Sequence, residues 1–385
     1  MKKFIYMDYQ ATTPCDPRVL DKMLPYFCEE FGNPHSSSHA MGMVAAEAVE
    51  CARQQVASII GVKDARSVIF TSGATESNNL SIQGAARAYG KKGDQIISTS
   101  IEHKCVLESV HAMSKEGFEA KIIPVQKNGI IDLDSLGKAL EAPTVLVSVG
   151  WVNNEIGVCQ PMAEISDICR QRGVLLHSDA AQAVGKIEID AALVDLLSIS
   201  GHKIYGPKGV GALYVRMDPA LRLKPLFHGG GQERKMRSGT LSPPLCVGIG
   251  EACRIASEEM SAEYARLAEF KKYFLERIFA SLGKVFLNGD AEKRIPGCLN
   301  LSFAGVEGES LMLGMRDVCI SSGSACTSST LEPSHVIQAL AVYDDLAHSS
   351  LRIGMGRFTT FEEVKYVADK LIEVVTRMRA MSPIW

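Results

Sequence analysis

The sequence predicts an α/β fold: a large domain on a mostly parallel, seven-stranded sheet, joined to a smaller α+β domain. Three observations predict it. Short apolar runs, several of them continuous rather than alternating, recur over residues 68–215, as strands covered on both faces require. Amphipathic stretches of helical period separate many of them, which is the βαβ alternation of a parallel sheet. The chain has 385 residues, and a long charged amphipathic segment over 245–282 divides it; at roughly 150 residues per domain that length suits two domains.

In chain order, VAAEAVECARQQVASII over 44–60 places apolar residues at helical spacing. VIF over 68–70 reads as a strand, and 76–89 as the helix after it. QIIST over 95–99, KIIPV over 121–125 and TVLVSV over 144–149 are strands, with helices over 104–116 and 133–140 between them. A helix over 162–172 leads to strands VLLH (174–177), LLSIS (196–200) and GALYV (211–215). After the 245–282 segment come strands near 284–287, 299–303 and 318–321. The extreme N-terminus is expected to pack on this second unit. The division expected is 14–256 for the large domain and 1–13 with 257–385 for the small one.

Composition narrows the function. Hydrophobic residues make up 46% and charged residues 22%, enough apolar side chain for a sizeable core, so global disorder is excluded. The net charge of -3 lacks the basic excess that phosphate neutralisation demands, so nucleic acid is not the expected partner. The most apolar stretch, 144–152, is far shorter than the roughly 20 residues of a membrane span, and MKKFIYMDYQATT over 1–13, whose short apolar patch Asp8 interrupts, does not read as a secretory signal. A soluble cytoplasmic protein is expected. The 11 cysteines are odd in number and form no CxxC pair, which suits a reducing compartment and argues against zinc or a resident metal. Most, including Cys51, Cys169 and Cys253, are expected to be small buried hydrophobes.

Four segments carry chemistry. In VIFTSGATESNN (68–79) a strand runs through Gly73 into a helix, with Ser72 and Thr75 beside the helix N-terminus. Free N–H groups there make a cup for phosphate, although an N-capped helix after a turn has the same appearance. Neither GxGxxG nor GxxxxGK[ST] is present, so a dinucleotide or ATP is not favoured. In VLLHSDAAQ (174–182), Asp179 ends a strand, where a carboxylate calls for a cationic partner such as a protonated pyridine nitrogen, or else caps the next helix. In DLLSISGHKIYGPKG (195–209), Lys203 follows a strand among Gly, His, Tyr and Pro; a desolvated lysine there can form a Schiff base. Phosphate cup, carboxylate and lysine together match what pyridoxal phosphate requires. In SSGSACTSSTLEPSH (321–335), Cys326 stands among small polar residues that bury little, so its thiol is expected to be exposed and reactive.

Three smaller features complete the set. His103 follows a strand and can stack on an aromatic cofactor or serve the structure alone. The glycine-rich run 229–240, with Arg237, suits a phosphate contact, a subunit contact or a plain loop. Arg352 lies in a strand-like stretch and wants a carboxylate, from a substrate or from within the chain.

Taken together, DYQATTP (8–14), FGNP (31–34), TSGATE (71–76), VNNEIG (152–157), SGHK (200–203), RSGT (237–240) and SSGSAC (321–326) resemble the pyridoxal-phosphate cysteine desulfurases of the NifS/IscS type, with the extended catalytic loop. The resemblance spans nearly the whole chain and implies the aminotransferase-like fold type I, a homodimer, and conversion of L-cysteine to L-alanine. It implies that Lys203 binds the cofactor covalently, that Ala74, Thr75, Ser200 and His202 hold its phosphate, joined by Thr240 of the other subunit, and that Gly201 also belongs to the cofactor site. It implies that Asp179 pairs with the ring nitrogen, that Gln182 and Asn154 bond the ring oxygen, and that His103 stacks on the ring and relays protons. Arg352, with Asn154, would receive the substrate carboxylate. Cys326 would carry the sulfur as a persulfide to an iron–sulfur scaffold protein or to acceptors in tRNA thiolation, and its thiol is available as a transient ligand to a cluster shared with such a scaffold. Two departures stand out: Trp151 replaces a frequent histidine, which is expected to affect packing alone, and the best-known members continue beyond the position of Trp385, which bears on how a scaffold docks. A selenocysteine lyase or an aminotransferase shares the cofactor residues, but transamination needs no nucleophilic thiol. A non-catalytic assembly partner would not need Lys203, Asp179 and Cys326 together.

Overall fold

The computed structural model describes residues 4–90, 93–218, 221–322, 334–342 and 344–381. The chain opens with β1 (Ile5–Tyr6), α1 (Pro17–Met23), α2 (Pro25–Cys28) and α3 (Ala40–Ile59). The large sheet is laid down by β2 (Val68–Thr71), α4 (Ala74–Tyr89), β3 (Gln95–Thr99), α5 (Lys104–Ser114), β4 (Glu119–Ile123), α6 (Leu133–Ala139), β5 (Thr144–Ser148), α7 (Met162–Arg172), β6 (Leu175–Asp179), β7 (Leu196–Ser200) and β8 (Gly211–Val215). Then follow α8 (Pro243–Ser281), β9 (Val285–Leu287), β10 (Cys298–Phe303), α9 (Gly308–Gly314), β11 (Val318–Cys319), α10 (His335–Ala339), α11 (Asp344–His348), β12 (Ser350–Gly354) and α12 (Phe361–Met381).

Strand order in the seven-stranded sheet is β2-β8-β7-β6-β5-β3-β4. Strand β8 runs antiparallel to both neighbours and the other pairings are parallel. Reversing β8 alone leaves β2, β3, β5, β6 and β7 pointing the same way, so their carboxyl ends share one edge, where open α/β sheets bind ligands. Period-two alternation splits the core between the two faces. Phe70, Ile97, Leu197 and Ala212 join one apolar cluster, and their neighbours Ile69, Ile96, Leu196 and Leu213 join another. Strand β4, at the sheet edge, is half exposed and lies two residues before the predicted 121–125. The run over 121–125 is apolar, but Pro124 lacks the N–H that would continue the ladder.

A smaller antiparallel sheet has the order β12-β10-β9. Its core takes Leu267, Phe270, Phe274 and Ile278 from the second half of α8, and Val364, Val367, Leu371, Val374 and Val375 from α12. The first half of α8 buries Ile249, Ala252 and Cys253 against the large sheet's core, so this 39-residue helix contributes to both. Met7 lies in the small core, and β1 pairs in parallel with β11.

The expectation for the cysteines needs correcting. Cys169, Cys246, Cys253 and Cys298 are buried, but Cys28 and Cys51 are exposed and Cys15, Cys105, Cys159 and Cys319 are partly so. On α3 the inward stripe is Val49, Ala52, Arg53, Val56 and Ala57, and Cys51 falls off it. Trp151 is buried in the main core, in keeping with a packing role. No helix among the described residues is long and apolar enough to cross a membrane.

The outer edge of β2 is closed by charge rather than by another strand. Arg53 and Glu233 form a buried bidentate pair, Nη1–Oε2 2.6 Å and Nη2–Oε1 2.9 Å. Arg53 Nη1 also donates to Val68 O, and the Phe70 N–H donates to Glu233 Oε2. Glu233→Ala therefore strands a buried guanidinium and an edge amide. Breaking one side of such a pair costs about 3–5 kcal/mol. The urea midpoint of the variant is expected to fall accordingly, and an unchanged midpoint would mean that the pair does not hold this edge.

Candidate active site

A cavity of about 420 Å³ opens at the carboxyl ends of the strands. Ala74, Thr75, His103, Asn154, Asp179, Gln182, Ser200, His202, Lys203 and Arg352 all line it. Residues from six strand ends or loops, up to 278 positions apart in sequence (Ala74 to Arg352), thus converge on one space.

One end is the N-terminus of α4. Gly73 precedes the helix with φ 154°, a conformation that side chains disfavour. Gly211 of β8 packs against it so closely that a Cβ at 211 would lie 2.6 Å from Gly73 Cα. Thr71 and Ser77 hydroxyls share a 2.8 Å hydrogen bond, and Ser77 Oγ reaches Ala212 O. These contacts pin the helix start to the sheet. Glu76 Oε2 accepts from Ser72 N, and Arg237 Nε donates to Glu76 Oε1. The first-turn N–H groups, which have no acceptor within the helix, stand at the cavity wall as an anion cup.

The floor is Asp179, at the end of β6. Its Oδ2 accepts from Asn78 Nδ2 at 2.7 Å and its Oδ1 from Ala181 N at 2.9 Å. Two donors offset the desolvation of the carboxylate and set its plane. Beyond β7, Lys203 closes a 3-10 turn. Its Nζ donates to Gln10 O and to Ala11 O, the latter at 2.8 Å. The neighbouring His202 bonds Thr12 Oγ1 through Nδ1, while Thr13 N and Oγ1 both donate to His202 O. Burial lowers the His202 pKa to about 4, so its ring is neutral at pH 7.

His103 caps α5. Its Nδ1 accepts the Cys105 N–H at 3.2 Å, and because a backbone amide can only donate, the ring proton of the neutral form lies on Nε2. Burial lowers its pKa, so that neutral form is favoured. Behind it, Glu102 is buried, accepting from Thr99 Oγ1 at 2.6 Å and Gly150 N at 2.8 Å. Burial raises its pKa to about 7. Cys105 also lines the cavity, but burial drives its thiol pKa to about 12, which leaves it unreactive.

Arg352 has an internal partner. Its Nη2 donates to Asp8 Oδ1 at 2.8 Å and its Nη1 to Asn154 O at 3.1 Å. Burial raises the Asp8 pKa and the Arg352 charge opposes that rise. Two of the predicted residues that the structure describes do not line the cavity. Gly201 lies buried beneath it, with its N–H on Val210 O, Thr240 is exposed on this chain, and Cys326 lies outside the described residues. Asn78, Gln10, Ala11 and Glu102 were not singled out from the sequence. Asn78 was visible within the 68–79 run as a polar residue facing inward. The carbonyls of Gln10 and Ala11 have no side-chain trace at all.

The aminotransferase class-V family profile matches residues 5–367. A cysteine desulfurase from Homo sapiens is 57% identical over 383 residues, 99% of this chain and 84% of the relative. The cysteine desulfurase IscS of Rickettsia bellii is 54% identical over 383 residues, 99% of this chain and 93% of the relative. Among solved structures, a NifS-like protein aligns with a TM-score of 0.89 at 36% identity, covering 97% of this chain and all of the other. A structure described as SspA in complex with cysteine aligns with a TM-score of 0.82 at 34% identity, covering 92% of this chain and all of the other.

Proposed function

From a chain that belongs to the aminotransferase class-V family, we infer an enzyme that takes sulfur from L-cysteine and releases L-alanine, a cysteine desulfurase. The observation that carries this reading is the convergence of Lys203, Asp179 and a helix N-terminus on one cavity that Arg352 also lines. This donor set fits pyridoxal 5'-phosphate: an amine for the aldehyde, a carboxylate for the ring nitrogen, and N–H groups with Thr75, Ser200 and His202 for the phosphate. When bound, that cofactor supplies an electron-withdrawing ring conjugated to the substrate α-carbon.

The chain's own groups do the rest. Lys203 would anchor the aldehyde carbon and, as a free amine, would carry the substrate's α-proton. Asp179, its plane set by Asn78 and Ala181, would keep the ring nitrogen protonated. His103, a neutral imidazole with its proton on Nε2, would stack on the ring. Arg352, its Nη2 held by Asp8, would receive the substrate carboxylate. Cys326 attacks the substrate sulfur: an S–S bond forms, the C–S bond breaks, and its electron pair stays on Cβ, which gains a proton to become the methyl of alanine. The sulfur leaves as a Cys326 persulfide for an acceptor such as an iron–sulfur scaffold protein.

The same reading includes a cytoplasmic homodimer and a chain divided into 14–256 and 1–13 with 257–385. Leu24, Phe27, Phe31 and Met43 are large apolar side chains left exposed near the N-terminal helices, as a surface covered by a second subunit, which would contribute Thr240, would leave them. The deciding experiment is Cys326→Ser. The variant is expected to retain the cofactor band and to bind cysteine with a spectral change, while sulfide release falls by about 10³-fold or more. Wild-type turnover would place the nucleophile elsewhere.

A further inference from the structure

Gln182 follows β6 and lines the main cavity. Its amide has only one orientation open to it. On one side, Lys186 Nζ donates to Gln182 Oε1. On the other, Gln182 Nε2 donates to Gln10 O at 2.9 Å. Burial lowers the Lys186 pKa to about 7, and in either protonation state the amine has a hydrogen for the amide oxygen. A flipped amide would press its oxygen against the Gln10 carbonyl, which can only accept, so the amide nitrogen stays on that side. The same carbonyl accepts from Lys203 Nζ. Gln182 and Lys203 thus share one acceptor, and Lys186 decides which end of Gln182 meets it.

Lys186 does not line the main cavity. It lines a separate space of about 20 Å³ that Gln10 and Thr13 also border, with room for about one water. We propose that Lys186 is a positioning residue of the active site: acting through Gln182, it holds an amide donor toward the cofactor's ring oxygen and steadies the Gln10 carbonyl on which Lys203 rests. This rests on the reading of the main cavity as the pyridoxal phosphate site. A lysine that stabilised only the fold would leave cofactor binding untouched, whereas this role makes binding sensitive to it.

The test titrates cofactor-free protein with pyridoxal phosphate and records the visible band. Lys186→Met is expected to weaken cofactor binding about tenfold and to shift the band, with a smaller change in the melting temperature of the cofactor-free form. Lys186→Arg, which restores a donor, should recover most of the affinity. In a Gln182→Ala background, Lys186→Met should add nothing further, as expected of a residue acting through Gln182. Gln182→Glu leaves Lys186 intact but turns an acceptor toward the Gln10 carbonyl, and should bind cofactor less well than Gln182→Ala. Wild-type affinity and band in folded Lys186→Met, additive losses in the double variant, or unimpaired Gln182→Glu would each overturn the role. Wild-type protein that takes up no pyridoxal phosphate would instead defeat the proposed function itself.

Discussion

Lys203→Ala is expected to abolish the visible band of the cofactor–lysine linkage and to cut desulfuration by about 10⁴-fold. Under the proposed function two losses are combined in that number: the covalent anchor and the base that would carry the α-proton. The substitution also leaves the Ala11 carbonyl without its donor, a cost of about 1–3 kcal/mol if it stays buried, whereas the Gln10 carbonyl keeps the amide of Gln182. Lys203→Arg separates the effects, because a guanidinium still donates to those carbonyls but forms no such linkage. It should therefore unfold nearer the wild-type temperature and yet stay colourless after removal of free cofactor. Absorbance before and after borohydride checks both variants. A band that borohydride still reduces would show that another amine holds the cofactor.

The parts of this site visible in the sequence are those where a polar side chain interrupts an apolar strand or follows directly on one. Asp179 stands out because it ends the run LLHS and Lys203 because it comes three residues after LLSIS, where burial makes a lone charge expensive. The seven strands of the large sheet were visible for the complementary reason: β2, β3, β5, β7 and β8 are buried at every position, so their composition is apolar on both faces. Legibility falls where side chains report less. Strand β1 has two residues, too short for a period. Helix α12 has its inward residues at helical spacing, from Val364 to Val375, and was left unassigned because no flanking strand framed it. The N-terminal segment contributes Gln10 and Ala11 through backbone carbonyls, which any residue possesses. Asn78 was overlooked because its role depends on a residue 101 positions away. Arg352 was read as waiting for a carboxylate; Asp8, on that same N-terminal segment, supplies one.

Asp179→Asn should slow turnover by about 10²–10³-fold, the effect of removing one preorganised electrostatic partner, while leaving the fold intact. The surrounding donors explain why the fold survives. Ala181 N is fixed, so an asparagine at 179 must turn its carbonyl oxygen toward it and its amide nitrogen toward Asn78. Asn78 can answer by rotating its amide: its Oδ1, buried without a hydrogen-bond partner, gains a donor, in exchange for the bonds its Nδ2 makes to position 179 and to Cys105 Sγ. Melting temperature and cofactor content are thus expected to stay near wild type. What would change under the proposed function is the charge at the ring nitrogen: a neutral amide would no longer favour its protonation, and the pull on the α-carbon would weaken. A ring-N-methylated cofactor, cationic without any counter-charge, should restore much of the lost rate in Asp179→Asn and gain nothing in the wild type. Rescue would separate the electrostatic role from a merely geometric one. If Asp179→Asn turns over within threefold of the wild type, or if the methylated cofactor fails to help a well-folded variant that binds it, the carboxylate is not what keeps the ring charged.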